Sequence, residues 1–140
     1  MIKRFFALVC LITVLCSVTV YSRDITVMVD GNPLFCDAEP IIKNDRVLVP
    51  MRAIFEALSC DVSYKEEFDG NYVYAVRGND LVAHKIGSDS IFVNGETVKL
   101  DVSSEILSDR AFVPLRAVSE ALECSVLWDD KEYIVDVKSK

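Results

Sequence analysis

The chain is poor in the residues that most often carry chemistry. It has one histidine, His84, in 140 residues, and nothing in "LVAHKIG" or near it has the spacing of a Ser/His/Asp or Cys/His set. His84 therefore reads as a half-exposed residue of a strand. Five cysteines contain no CxxC pair and no Cys/His spacing, which leaves no legible zinc site. Five glycines include no phosphate-cradling loop. Asp69-Gly70-Asn71 resembles a fragment of a calcium loop, but the alternating oxygen ligands and the closing glutamate are missing. Positive charge is scarce as well: 15 Lys and Arg stand against 22 Asp and Glu, without a basic stripe. That balance excludes a phosphate-neutralising nucleic-acid binder and an anionic-lipid binder. The acidic clusters "EEFD" and "WDDKE" fall in turns, where charge is solvated. No cofactor and no metal are implied, and the chain does not read as an enzyme.

What is abundant is apolar sequence, 51% of the chain, part of it in one N-terminal block. Lys3 and Arg4 precede an apolar run from Phe5 to Val20, which ends in Val20-Tyr21-Ser22. A basic start, a short apolar stretch and small residues at the exit describe a signal peptide over 1–22, cleaved after Ser22. The run is short for a span, which needs ~20 apolar residues. An uncleaved anchor is the alternative. A lipoprotein fits less well, because Leu15 precedes Cys16 where a small residue is wanted, and a buried core helix fits least. The expected location is secreted or in the cell envelope. Cleavage moves the net charge from −7 to −9 by removing Lys3 and Arg4. It leaves Cys36, Cys60 and Cys124, an odd number, in a domain over 23–140.

A shift of 64 residues lays "DRVLVPMRAIFEALSCDV" on "DRAFVPLRAVSEALECSV". It carries Val29-Asp30-Gly31 onto Val93-Asn94-Gly95, Cys60 onto Cys124 and Tyr64 onto Trp128 without a gap. Two internal repeats, about 25–77 and 89–138, follow. Each reads as a strand, an Asp-Gly or Asn-Gly hairpin turn and a second strand. Turns at Asn44-Asp45 and Ser108-Asp109 lead into "RVLV" and "RAFV". Pro50 and Pro114 are placed as the first helical residues. The helices carry apolar stripes of Met51, Ile54 and Leu58, and of Leu115, Val118 and Leu122. Strands resume after each. The fold class is α+β: two tandem β-hairpin/β-α-β repeats with two short helices packed on antiparallel strands in one shared core. Cys60 and Cys124 either bridge across the repeat axis or are small buried residues closing their helices.

Arg52 and Arg116 break a local rule in both copies. Counted from the prolines, each is third in its helix, where the dipole disfavours a cation by about 0.3–1 kcal/mol. Glu56 and Glu120 follow at i+4, but Arg before Glu is the weaker orientation. One account lays each guanidinium back across the hairpin on a carboxylate or strand carbonyls. The other makes the pair two anion-recognition points.

The two motif copies, joined by "HKIGSDSIFVNGETVKLDV", resemble the copper amine oxidase N-terminal-like domain, or stalk domain, over Ile25 to Val137. The resemblance implies a small domain with a helix wrapped by antiparallel strands, exported by bacteria and without a defined ligand. Cys60 and Cys124 depart from it, since alanine is usual there. True copper amine oxidases make a redox cofactor from a tyrosine in Asn-Tyr-(Asp/Glu)-Tyr and hold copper with three histidines. Asn71-Tyr72-Val73-Tyr74 is superficially close, but one histidine cannot supply three, and the stretch reads as strand. The expected function is a non-catalytic exported binding or scaffolding domain that engages an envelope protein or cell-wall polymer. The alternative is a small secreted regulator or inhibitor of an extracellular enzyme. No nucleic acid is expected, and no membrane beyond the signal peptide; weak homo-oligomerisation is open to it.

Overall fold

A computed structural model describes residues 24–140, so the signal-peptide reading of 1–22 lies outside the described residues. Alternation in the first segment buries Val27 and Val29 and forms β1 (Thr26–Val29). Asp30 and Gly31 follow at φ 49° and 80°, turning the chain into β2 (Asn32–Pro33). Two consecutive positive φ values are the requirement of a type I′ turn, which explains the Asp-Gly pair. β3 (Ile41–Lys43) and β4 (Arg46–Pro50) are joined in the same way, with Asn44 at 48° and Asp45 at 60°. Short polar side chains tolerate that conformation best after glycine.

Helix α1 spans Met51–Ala57. Pro50 ends β4 and caps α1 at φ −55° and ψ 126°, so it is the N-cap and not the first helical residue. A missing N–H is tolerated at both places, and the extended ψ decides between them. Ser59 follows at φ 64°, where helices commonly place glycine. β5 (Asp61–Glu67), β6 (Gly70–Arg77) and β7 (Asp80–Lys85) then run as an antiparallel meander. Asn71-Tyr72-Val73-Tyr74 lies within β6.

The remaining elements are β8 (Ser90–Val93), β9 (Glu96–Lys99), β10 (Glu105–Leu107), β11 (Arg110–Pro114), α2 (Leu115–Ala121), β12 (Ser125–Asp129) and β13 (Ile134–Lys138). Pro114 caps α2 as Pro50 caps α1, again one residue earlier than expected. The described architecture is α+β, mostly antiparallel strands with two seven-residue helices.

Three sheets result. The central one has the order β10-β11-β4-β3, with Val49 opposite Val113 at its middle. A second runs β5-β6-β7-β8-β9, and a third β12-β13-β1-β2, where β1 pairs with β13 in parallel. In the second sheet β7 lies between β6 and β8, while in the third β13 meets β1 directly.

Met51, Ile54, Phe55 and Leu58 of the first helical segment share one buried cluster with Leu115, Val118 and Leu122 of the second. Val49 and Val113 join them from the central sheet. Leu48 and Phe112 point to the opposite face of that sheet and pack with Val102 in a smaller cluster. Both faces are thus covered, which is why β4 and β11 read as continuous apolar runs. Truncating a fully buried residue such as Ile54 to alanine costs about 2–5 kcal/mol.

Candidate functional site

Side chains two apart on a strand share a face. Val62 and Val126 turn towards the core from β5 and β12, so Tyr64 and Trp128 extend the same faces to its rim. Both aromatics stay open, Tyr64 at 44% and Trp128 at 40% exposure. Each helps to line a groove beside a helix. The Trp128 groove encloses about 870 Å³ and is bordered by Arg116 and Glu120 of α2 and by Arg46 and Asp101. The Tyr64 groove encloses about 710 Å³ and is bordered by Arg52 and Glu56 of α1 and by Arg110 and Asp37. These volumes fall within the ~300–1,000 Å³ range of small-ligand sites.

Ion pairs between the two halves of the chain shape one side of each groove. Arg46 sits in the first half, and its Nε and Nη2 donate to Asp101 Oδ2 at 3.1 and 2.9 Å. Arg110 sits in the second half, with its Nε 2.6 Å from Asp37 Oδ2. Both pairs are partly exposed, so each adds only about 0–1 kcal/mol. Their effect is to orient planar polar groups along a groove.

Arg52 and Arg116 line the grooves, in a geometry that differs from the expected one. With the helices beginning at Met51 and Leu115, each is second in its helix. Neither lies back across the hairpin. Arg52 stands 3.8 Å from Glu56 and Arg116 stands 3.5 Å from Glu120, along their own helices and about half exposed. Arg52 also lies over the Tyr64 ring, 4.9 Å from its centroid, a contact worth about 0.5–1 kcal/mol at an exposed site. Trp128 makes an edge-to-face contact with Tyr133, centroids 5.6 Å apart.

At the other end of the helices stands Arg77, which the sequence did not single out. Its Nη1 donates to the Leu58 carbonyl at 3.3 Å, and its Nη2 donates to the Leu122 carbonyl at 3.1 Å. Leu58 and Leu122 are the C-caps of α1 and α2. One cation therefore serves two helix C-termini, where the dipoles favour positive charge. Asp80 accepts from the same Nη2 at 3.3 Å. Asn94 donates to Asp80 and, with Arg77, holds its carboxyl below the usual carboxylate range. Cys60 and Cys124 are buried beside this node and are free thiols, as is Cys36. Burial pushes the pKa of both buried thiols up, and Arg77 partly opposes it.

His84 is buried and not half-exposed, at 1%. Its Nδ1 lies 2.8 Å from the Ser90 carbonyl, an acceptor, so Nδ1 carries the proton. Its Nε2 is then free to accept from Ser104 Oγ at 2.6 Å, while Gly87 N–H donates to that hydroxyl. Burial lowers the pKa of this imidazole, against the opposing Ser90 bond. With both ring nitrogens engaged, His84 has no lone pair for a metal. Among the described residues no group of three or more His, Cys, Asp or Glu could hold an ion, so the donor set does not fit copper. The Tyr72 hydroxyl donates to Asp69, and the Tyr74 hydroxyl donates to Glu67. The described residues also contain no helix long and apolar enough to cross a membrane.

The grooves were half visible in the sequence. The 64-residue shift that carries Tyr64 onto Trp128 also carries Asp37 onto Asp101 and Arg46 onto Arg110. The missing signal was that each arginine pairs with the other half. Neither a curated protein nor a solved structure matches the chain significantly. The sequence profile of the copper amine oxidase N-terminal domain matches residues 28–137. That domain is non-catalytic, and with most of its length matched, the chain belongs to the copper amine oxidase N-terminal domain family.

Proposed function

We propose that this chain is a non-catalytic, exported binding and scaffolding domain that engages a cell-wall polymer through its two grooves. We also read it as two tandem units sharing one core, with a pseudo-twofold axis through the Val49–Val113 pair. The element bounds support that reading: β3, β4 and α1 return 64 residues later as β10, β11 and α2. The basic, apolar and small-residue order of 1–22 supports export.

The observation that carries the function is the composition of the grooves. Each sets an exposed aromatic beside two arginines and their partner carboxylates, which is a stacking face surrounded by oriented, largely paired charged groups. Tyr64 and Trp128 cost solvation where they stand, and a ligand that covers them recovers it. The test is co-sedimentation with purified cell wall. The protein is expected in the pellet, and the double variant Tyr64→Ala, Trp128→Ala is expected in the supernatant. Equal pelleting of the two proteins would overturn the assignment of binding to the grooves.

A further inference from the structure

We infer that both grooves accept the same ligand class, a neutral glycan, which makes the chain bivalent and able to bridge strands of a repetitive polymer. The inference rests on the binding reading above and goes beyond it in naming the ligand chemistry and the number of sites.

The first argument is equivalence. The Trp128 groove has Arg116, Glu120, Arg46 and Asp101 where the Tyr64 groove has Arg52, Glu56, Arg110 and Asp37. Each residue of the first set is the residue of the second displaced by 64 positions. Two such grooves on one core present this set of paired charges twice, although exposed Phe35 lines the Tyr64 groove where Lys99 lines the other.

The second argument is charge. The chain as a whole carries −7, yet the Trp128 groove sets Arg46, Lys99 and Arg116 against Asp45, Asp101 and Glu120. Arg46 and Arg116 are each held by a carboxylate within the groove. The Tyr64 groove sets Arg52, Lys65 and Arg110 against Asp37, Glu56, Glu66 and Asp109, so neither groove has the strong excess of one sign that gathers a polyphosphate or a basic peptide. What is left is an aromatic face and the planar edges of carboxylates and guanidinium groups. An aromatic face packs on the apolar C–H face of a pyranose, and carboxylate and guanidinium edges hydrogen-bond adjacent hydroxyls.

The two sites are not identical. Trp128 offers the larger ring, in edge-to-face contact with Tyr133, and the Tyr64 ring is covered on one side by the Arg52 cation. The Trp128 groove is therefore the tighter. The competing occupant is an extended peptide added to β5 or β12, which are edge strands of their sheets. Such a ligand would rely on backbone hydrogen bonds and would be indifferent to the aromatic side chains.

The test is calorimetric titration of the purified protein with a soluble tetramer of β-1,4-linked N-acetylglucosamine. Two tetramers are expected per chain, the tighter site lost in Trp128→Ala and the weaker in Tyr64→Ala. Trp128→Phe and Tyr64→Phe should keep both sites, and unchanged circular dichroism would show that the alanine variants fold. On purified insoluble glycan strands either single alanine variant should lose about 10²-fold in apparent affinity, the factor that multivalent linkage supplies. One tetramer per chain would overturn bivalency and leave the binding function standing. Wall sedimentation without any tetramer binding would overturn the glycan class alone. Wall binding that survives in the double alanine variant would point to edge-strand docking and overturn the groove assignment altogether.

Discussion

Replacing Arg77 by methionine should be the most damaging single change at the partly exposed surface. Methionine keeps much of the apolar stem and removes the charge and the fork of donors. Both carbonyl bonds are lost, to Leu58 at 3.3 Å and to Leu122 at 3.1 Å, and with them the partly exposed ion pair to Asp80, which itself adds only about 0–1 kcal/mol. A hydrogen bond from a charged group contributes about 1.5–3 kcal/mol net. The Arg77 side chain is 28% exposed and both bonds are long, so the low end or less applies to each. Losing a cation at two helix C-termini adds about 0.3–1 kcal/mol per helix, partly counted in the same bonds. The expected loss is about 2–3 kcal/mol, or roughly 8–12 °C in melting temperature for a domain of this size. Urea denaturation should show a lower midpoint at an unchanged slope. Arg77→Lys keeps the charge without the planar fork and should lose about half as much. If Arg77→Met unfolds within about 0.5 kcal/mol of the parent protein, the idea that one guanidinium ties the two helices together is wrong.

Arg52→Lys and Arg116→Lys should each change stability by less than about 0.5 kcal/mol, since both arginines are exposed, their ion pairs run along their own helices, and lysine keeps the cation that Arg52 sets over the Tyr64 ring; a loss above about 1.5 kcal/mol in either would reveal a structural contact that these distances do not contain. Stability should fall with acidification in the window where an unfolded imidazole, near pH 6.5, takes up a proton that buried His84 resists. The folded pKa is lowered, so this contribution is complete above about pH 6.5 and is lost as pH falls towards the folded value. His84→Gln should flatten that slope between pH 7 and 5, and an unaltered slope would assign it to other groups. Ser59→Gly should stabilise by about 0.5–1 kcal/mol by relieving the φ of 64° after α1; a lower urea midpoint would show that chain entropy outweighs the strain.

Local features of the fold were legible because local physics sets them. Asp30-Gly31 and Asn94-Gly95 turn where the sequence says, and the stripes of Met51, Ile54 and Leu58 and of Leu115, Val118 and Leu122 all bury. Strand partnership was not legible. Nothing in "TVMV" announces that Thr26–Val29 will pair in parallel with Ile134–Val137, because both strands are short, apolar and able to join any sheet. Pro50 was misplaced by one residue because strand end and helix start are equally tolerant of a missing N–H. His84 looked half-exposed because alternation in "LVAHKIG" cannot show that Ser90 and Ser104 will satisfy both ring nitrogens inside the core. The site suffered most: Arg77 and the Asp37 and Asp101 pairs act across halves, and pairings at such separations leave no periodic trace.

The central claim is that two equivalent grooves bind, and backbone and indole amide NMR during titration with solubilised wall glycan tests it most directly. The account predicts saturable shifts at the Trp128 indole N–H and around Arg116, together with a second, weaker set around Tyr64 and Arg52. Shifts confined to the outer face of β6 at Tyr72 and Tyr74, or no shifts at glycan concentrations that saturate wall binding, would contradict it.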